Sequence, residues 1–290
     1  EGAGEGLKLL FIPEWQALLS TELWLAAFSQ VFFSLSLAFG IMVAYGALKE
    51  KATEITKSVI WVAVGNFAVS IMSGIVVFGM LGYMADQKGV AITEVVAGGP
   101  SLVFVVFPAI INLLPALNAF IAVLFFGGLL TLAVDSAFSL LEAFARTFSD
   151  RYSNVKHSKI VLIISVLGFL FGLIFVTKGG LYVLDIVDHF IVNYGLVSVG
   201  IMEAILIGWL WKIEDLQAFI NHRSSLKIGK PWIISIKYII PIFLTIFLIL
   251  NLVNEFKEPY EGYPSWALLY IGALPILLTP LVAYFLQKYT

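Results

Sequence analysis

The hydrophobic pattern of the chain consists of long apolar stretches separated by short polar or charged segments. A helix of about 20 predominantly apolar residues is long enough to cross the hydrocarbon core of a bilayer. The connection 85–115 is also apolar, but Pro100, Pro108 and Pro115 interrupt it, so we predict a re-entrant or hairpin element there. The pattern therefore predicts an all-α integral membrane protein with transmembrane helices at 23–48, 58–84, 116–146, 160–177, 181–211, 232–254 and 266–287.

The first apolar stretch, 23–48, carries small polar residues near its middle, although it holds no charge in 26 residues. Ser34 and Ser36 lie two positions apart, and residues at that spacing do not share a helix face. If the segment 34–40 is unwound, its carbonyls and hydroxyls become available together and would form a ligand site at mid-membrane depth. The alternative is an intact helix whose Ser and Gly residues pack against a neighbour. The pattern alone favours the intact helix.

The third stretch carries ionisable residues, which are costly at membrane depth and usually face a cavity or another protein group. Asp135, Ser139 and Glu142 are spaced to lie on one helical face. Leu132, Asp135 and Ser136 form a second close group, in which a carboxylate, a hydroxyl and a free carbonyl would suit a small hard cation. The alternatives are a hydrogen bond between helices and a carboxyl kept neutral by burial. The adjacent Asp135 and Ser136 favour the cation.

Polar residues in the other stretches give weaker signals. Asn66 and Ser70 lie four positions apart on one face, and they suit either an ion or a hydrogen bond between helices. Asp185 and Asp188 open the fifth stretch, where acids are favourable at a solvated helix start, and Asp188 could instead be half of a charged gate. Glu203 lies deeper and is expected to be a neutral, hydrogen-bonded carboxyl.

Composition supports the membrane assignment and excludes several function classes. Hydrophobic residues make up 60% of the chain and charged residues 12%, with a mean hydropathy of +0.99, whereas soluble domains have about 25% charged residues. The net charge of −2 gives no support for nucleic-acid binding. There is no Cys, and the three His residues have no metal-pair spacing. Because hydrolase and nucleotide-binding motifs are also missing from the sequence, we do not expect an enzyme.

The distribution of Lys and Arg predicts the orientation in the membrane. With seven spans, 13 of the 17 Lys and Arg residues fall on one side and 4 on the other. The positive-inside rule makes the richer side cytoplasmic, so the N-terminus is expected outside and the C-terminus in the cytoplasm. Asp150 then lies at the cytoplasmic end of the third stretch beside Arg146 and Arg151, where a solvated ion pair is worth little. Because the chain starts at Glu1, we expect it to be a piece of a longer polypeptide.

Four strings in the chain, in their order and with their gaps, resemble the neurotransmitter:sodium symporter family: SQVFFSLSLAFG, GNFAVS, LTLAVDSAFSLLEAF and GGLYVLDIVDHF. The resemblance covers essentially the whole chain, which is similar to the sixth to twelfth helices of a twelve-helix transporter. It implies the second five-helix inverted repeat of a broken-helix transporter plus two extra helices. The implied segments are an extracellular interfacial loop at 1–22, the repeat at 23–214 with an extracellular hairpin at 85–115, and a cytoplasmic loop with two accessory helices at 215–290.

The resemblance also implies roles for residues that match the family's motifs. Phe33 would be an aromatic lid over the substrate, and Leu48 departs from the aromatic residue that many members carry. The implied substrate-lining residues are Phe33, Ser34, Ser36, Phe39, Gly40, Ala137 and Leu140. The implied sodium ligands are Ser34, Asn66, the Leu132 carbonyl, Asp135 and Ser136. The implied chloride set is Gln30, Ser34, Asn66 and Ser70. The implied gate acids are Asp188 outside and Asp150 inside.

These implications define the expected function. The chain would be the C-terminal portion of a sodium-coupled symporter for an amino acid or amine, working by alternating access in the plasma membrane. Its partners would be the lipid bilayer and the first five helices of the same transporter. Chloride dependence is a hypothesis based on Ser70. The resemblance implies it, because chloride-dependent members of the family carry Ser at this position, whereas some bacterial members carry Glu. The alternatives are a proton-coupled transporter of the same fold, in which Asp135 titrates, and a non-transporting membrane scaffold or binding subunit.

Overall fold

The computed structural model describes residues 2–47, 54–96, 99–114, 116–152 and 154–288, and every regular element in these ranges is helical. Six helices are long and apolar enough to cross a membrane, or up to seven if one bent pair of shorter helices is counted as a span. They correspond to the second to seventh predicted spans. The six are Thr56–Lys88, Asn118–Arg151, His157–Val176, Gly180–Leu210, Lys230–Gly262 and Ser265–Phe285.

The first predicted span is not one helix. After a short helix α1 (Ala3–Phe11), helix α2 runs over Thr21–Ser34 and α3 over Ile41–Ala47, with a non-helical segment between them. In that segment Ser36, Ala38 and Gly40 have φ angles of 54°, 63° and 74°. A right-handed helix requires negative φ, so the intact helix favoured by the pattern alone is wrong. The unwound segment implied by the family resemblance is confirmed.

The chain divides into two compact units, residues 1–17 with 63–138 and residues 18–62 with 139–290. In the first unit, α1 approaches α4 (Thr56–Lys88) closely, since a Cβ added at Gly6 would stand 1.8 Å from the Phe78 carbonyl oxygen. The same contact leaves no room for a side chain at Gly82. Small residues therefore permit this packing. The predicted division into 1–22, 23–214 and 215–290 stays a prediction.

The proline-interrupted connection folds into short helices in the first unit. These are α5 (Ile92–Val95), α6 (Gly99–Ser101), a π-helical turn (Leu102–Val106) and α7 (Phe107–Leu113). Val95, Val106 and Ile110 pack against Leu81 and Met84 near the end of α4. The apolar character of this connection is thus explained by a local core.

Nine further α-helices follow α7 in the described part of the chain. They are α8 (Asn118–Arg151), α9 (His157–Gly172), α10 (Gly180–Phe190), α11 (Val197–Ile205), α12 (Ile213–His222), α13 (Lys230–Ile234), α14 (Ile240–Lys257), α15 (Ser265–Ala267) and α16 (Leu274–Lys288). Four π-helical turns follow α10, α11, α13 and α15, at Ile191–Leu196, Leu206–Leu210, Ser235–Ile239 and Leu268–Ala273.

Helix α2 is held in the second unit by aromatic packing. The ring centroids of Phe28 and Phe247 are 5.5 Å apart, which places α2 against α14. Phe32 lies over Gly200 of α11, where an added Cβ would stand 2.5 Å from its ring. The absence of a side chain at Gly200 lets this ring lie against the α11 backbone. These contacts fix the helix that leads directly into the unwound segment.

Candidate functional site

The start of the unwound segment 35–40 is hydrogen-bonded to the last turn of α2. The Ser36 N–H donates to the Phe33 carbonyl at 3.1 Å, and the Leu37 N–H donates to the Phe32 carbonyl at 2.8 Å. The Ala44 N–H donates to the Gly40 carbonyl at 3.0 Å, so α3 starts its own helical bonding there. Each helix end leaves backbone groups without an intrahelical partner, and the break creates two such ends within one apolar stretch. The segment can therefore offer backbone polar groups to a ligand.

Two of the predicted substrate residues, Phe33 and Phe39, contact each other at the break. The rings of Phe33 and Phe39 meet edge to face with centroids 5.9 Å apart. Ser34 ends α2, and its hydroxyl donates to the Val31 carbonyl at 3.5 Å. A Cβ at Gly40 would meet no atom within 4 Å, so its glycine is explained by the positive φ. The structure thus brings Phe33 and Phe39 together at the break.

A polar contact joins helix α3 to α8. The Tyr45 hydroxyl lies 3.0 Å from the Ser139 hydroxyl. Leu140, predicted to line the substrate site, is the next residue on α8. This contact therefore joins the helix that follows the unwound segment to a helix that carries a predicted lining residue, and spacing along the sequence gave no sign of it.

The predicted cation residues lie on an unbroken part of α8. Leu132, Asp135 and Ser136 fall within the regular helix Asn118–Arg151, where positions three and four apart lie on the same face. The Leu132 carbonyl is therefore part of the helix and is not freed by a break, but a carbonyl oxygen has a second lone pair that can still bind a cation. Among the described residues no cluster of three or more His, Asp or Glu side chains could hold a metal. A cation here would be bound by one carboxylate and neutral oxygens.

On the alternative polar face of α8, Ser139 and Glu142 each contact a residue outside this helix. Ser139 contacts Tyr45, whereas Glu142 bonds to other residues at the end of the helix. The Glu142 carboxylate lies 2.7 Å from Arg146 Nε and 3.1 Å from His157 Nε2. Glu142 therefore takes part in contacts at the end of α8.

Several other residues predicted for the site lie on α2, α4 and α8. On α4 the Ser70 hydroxyl donates to the Asn66 carbonyl at 2.9 Å, so the two share a face as expected. Asp150 is exposed near the end of α8, and its expected neighbour Arg146 pairs with Glu142. Gln30 is exposed on α2, and Ala137 is exposed on α8. Leu48 lies outside the described residues.

Helix α10 carries Asp185 and the predicted outer gate acid Asp188, and the surroundings of these two carboxylates differ. Asp188 is exposed, whereas Asp185 accepts hydrogen bonds from Tyr260 at 3.3 Å and Tyr263 at 2.9 Å. Burial, together with the Asp185 contact, raises the pKa of Tyr263 to about 12, so this phenol remains a donor at neutral pH. Asp185 therefore has a structural role in fixing a loop, beyond that of a solvated helix start.

A second loop contact lies next to the start of α4. Glu54 accepts a hydrogen bond from the Ser225 N–H at 2.8 Å, and the Ser224 hydroxyl accepts one from the Thr56 N–H at 3.1 Å. The Ser225 contact lowers the pKa of Glu54. These bonds join the segment before α4 to the loop between α12 and α13.

Comparison with known proteins places this arrangement among transporters. The model of the sodium:neurotransmitter symporter family matches residues 1–289. A sodium-dependent transporter of Methanocaldococcus jannaschii is 36% identical over 287 residues, which are 99% of this chain and 58% of that protein. The sodium- and chloride-dependent glycine transporter 2 of Xenopus laevis is 31% identical over 276 residues, which are 92% of this chain and 34% of that protein.

A solved structure shows the same similarity in three dimensions. The crystal structure of MhsT in complex with L-phenylalanine matches with a TM-score of 0.67 and 32% identity. The match covers 86% of this chain and 56% of that one. The chain thus spans roughly a third to three fifths of the length of these relatives.

Proposed function

The chain belongs to the sodium:neurotransmitter symporter family, and on this basis we propose that it forms the C-terminal part of a sodium-coupled amino acid symporter. It is an integral, multi-pass membrane protein, with six helices long enough to span a bilayer. The observation that carries the proposal is the non-helical segment 35–40 within an apolar stretch. Unwound backbone at membrane depth is tolerated where protein or a water-filled cavity satisfies it, and transporters use such breaks to bind substrate and ions.

In the proposed mechanism the backbone of 34–40 binds the polar groups of an amino acid or amine, and Phe33 closes over it. Asp135, Ser136 and the Leu132 carbonyl supply oxygens for one sodium ion, and Ser34 and Asn66 for another. Ala137 and Leu140 complete the lining together with helices that precede this chain. Each ligand must bind the outward-open and inward-open states unequally for transport to follow.

A further part of this proposal is that transport depends on chloride. Ser70 is neutral, so sodium ions near it would lack a compensating fixed charge on α4. Gln30, Ser34, Asn66 and Ser70 carry donors that could bind an anion. We expect transport to fall when gluconate replaces chloride, and Ser70→Glu should restore transport in gluconate because its carboxylate supplies the charge. Unchanged transport of the wild type in gluconate would remove chloride from the account.

The orientation is proposed from the charge distribution. The positive-inside rule places residue 1 outside and residue 290 in the cytoplasm. Asp188 would then belong to an outer gate and Asp150 to an inner gate, with basic partners on the helices that precede this chain.

Uptake by the intact gene product in proteoliposomes tests the function. L-Phenylalanine and glycine serve as labelled probes, because relatives are named for binding or transporting them. An inward sodium gradient should drive accumulation, and a proton gradient without sodium should not. The single carboxylate at Asp135 also suits a proton-coupled transporter, and uptake driven by protons alone would favour that alternative. A broad amino acid screen without uptake under either gradient would favour a scaffold or binding subunit.

A further inference from the structure

A buried histidine and glutamate meet at the ends of α10 and α14, on the side that we assign as extracellular. His189 Nε2 lies 2.9 Å from Glu255 Oε2, and their side chains are only 10% and 15% exposed. The other His–Glu pair, His157 with Glu142, is 40% and 28% exposed. Removing such polar groups from water is costly unless they are hydrogen-bonded, so the buried pair requires a built environment.

That environment satisfies both oxygens of Glu255. The Tyr194 hydroxyl donates to Oε2 at 3.2 Å, and the Tyr260 N–H donates to Oε1 at 3.1 Å. The Tyr260 ring stacks on the imidazole of His189 with centroids 3.7 Å apart and planes within 15°. The titratable and charged side chains on the elements around His189 are Asp185, Asp188, Tyr194, Glu255, Lys257, Glu258, Tyr260, Glu261, Tyr263 and Tyr270. Glu255 is the charged group that His189 contacts directly.

The hydrogen bonds on the other ring nitrogen define the tautomer of His189. Asn193 Nδ2 lies 3.0 Å from the His189 carbonyl oxygen and 3.1 Å from its Nδ1. Only the amide nitrogen can donate to that carbonyl, so the same nitrogen, with its second hydrogen, faces Nδ1. Nδ1 is therefore an acceptor, and the proton lies on Nε2, where it is donated to Glu255.

The network continues from Asn193 into α2. Ser29 is 6% exposed, and its hydroxyl donates to Asn193 Oδ1 at 3.2 Å. Phe33, the proposed substrate lid, follows Ser29 by four residues, about one helical turn. A polar chain thus runs from the Glu255 carboxylate through His189 and Asn193 to the half-helix that enters the unwound segment.

We propose that Ser29 and Asn193 are positioning residues that make substrate affinity depend on protonation of His189 by the external solution. The inference rests on the proposed function of the unwound segment. When water delivers a proton to Nδ1, the ring gains a second N–H that faces the Asn193 amide nitrogen. The bond is lost unless the amide reverses, and a reversed amide points its oxygen at the His189 carbonyl. Without reversal, Asn193 loses a bond that orients its Oδ1 toward Ser29, and with reversal Oδ1 no longer accepts from the Ser29 hydroxyl. In both cases protonation weakens the hold of Asn193 on Ser29 and α2.

The test is sodium-dependent binding of labelled substrate to the intact gene product between about pH 5.5 and 8.5, where histidines commonly titrate. We expect the wild-type affinity to fall about tenfold toward the acid end, equivalent to one hydrogen bond. His189→Gln keeps a donor for Glu255 but does not titrate, so its affinity should change less than about twofold over this range. Ser29→Ala and Asn193→Leu should also flatten the profile, while sodium-dependent binding remains.

His157→Gln is the matched control, because it removes a histidine that also contacts a glutamate but is more exposed. It should keep the wild-type pH profile. A wild-type profile that is flat, or one that all three variants leave unchanged, would overturn the proposal and leave the sodium-coupled function standing. Loss of sodium-dependent binding in the wild type at every pH would instead contradict the proposed function.

Nitrogen-15 NMR of labelled histidine gives a readout that does not need substrate. The His189 signal, identified by its loss in His189→Gln, should show the Nε2–H tautomer at about pH 8. Asn193→Leu should shift the Nδ1 resonance, because that nitrogen loses its donor. An Nδ1–H tautomer, or a resonance indifferent to Asn193, would overturn the linkage whether or not transport is sodium-coupled.

Discussion

The first apolar stretch and helix α8 are both mostly apolar but have different backbones. Both are long, and both carry small and polar residues near the middle. Helix α8 continues for 34 residues through Gly127, Gly128 and Asp135, whereas the first stretch leaves the helix after Ser34 and resumes it at Ile41. The number of helix-weakening residues therefore does not decide where a membrane helix breaks.

The spacing of the polar residues differs between the two regions. On α8, Asp135 and Ser139 lie four apart, so they extend from one face of an intact helix. Ser34 and Ser36 lie two apart and cannot share a face. Helix α8 can therefore offer side chains, including a carboxylate. The first stretch can offer backbone groups, because its helix is broken between Ser34 and Ile41. In our proposal the α8 carboxylate binds sodium, and the backbone of segment 34–40 binds the substrate.

The largest effect should come from the carboxylate of α8. Asp135→Ala should weaken sodium-dependent substrate binding by on the order of 100-fold, because a charged oxygen ligand contributes about 2–3 kcal/mol. Equilibrium binding of labelled substrate at varied sodium measures this. Asp215→Ala, which removes an exposed acid from α12, should leave binding unchanged. An equal effect of both variants would indicate general loss of negative charge instead of a site.

A medium effect, with a diagnostic sign, should come from the backbone of the break. Gly40→Ala forces an L residue to keep a φ of 74° in open space, so it should destabilise the protein by about 1 kcal/mol. Ala38→Gly relieves a φ of 63° and should stabilise it by up to about 1 kcal/mol. Thermal unfolding of the purified protein in detergent would report both.

An intact helix at 35–40 would reverse both signs, since Ala is favoured over Gly inside a helix. Gly46→Ala provides the matched control. Gly46 lies within α3, where a Cβ would meet no atom within 4 Å. It should stabilise the protein by about 0.5–1 kcal/mol, opposite in sign to Gly40→Ala.

The smallest effect should come from the contact that joins the two regions. Tyr45→Phe removes the hydroxyl that lies 3.0 Å from Ser139. Hydrogen bonds between membrane helices are worth about 0.6 kcal/mol on average, so the thermal midpoint should fall slightly. Tyr270→Phe, at an exposed tyrosine, should not change it. If Tyr45→Phe lowered the free energy of unfolding by several kcal/mol, this bond would be central to the fold.

The length of the apolar stretches was sufficient to predict most of the fold and insufficient to predict the break. The second to seventh predicted spans are confirmed because an 18-residue apolar window is a strong local signal. The break at Ser36 and Ala38 was not predicted by the pattern, because positive φ at residues other than glycine depends on the surrounding structure, which hydrophobicity does not record. The family motif supplied that information.

The contacts of the candidate sites show the same limit. Glu142 and Arg146 form an i,i+4 pair that spacing can suggest. Asp185 with Tyr263, and His189 with Glu255, join residues 78 and 66 positions apart, and only the packing of α10 against later elements brings them together. Sequence could name candidate side chains, but it could not say which of them would be buried.

Sodium dependence of substrate binding tests the central claim most directly. The intact gene product would be titrated with sodium at constant ionic strength, with choline as the replacement, and labelled amino acid binding would be measured by scintillation proximity. We expect binding to rise to saturation with sodium and to be near background in choline. Equal binding in sodium and in choline would contradict the proposal that the chain is part of a sodium-coupled symporter.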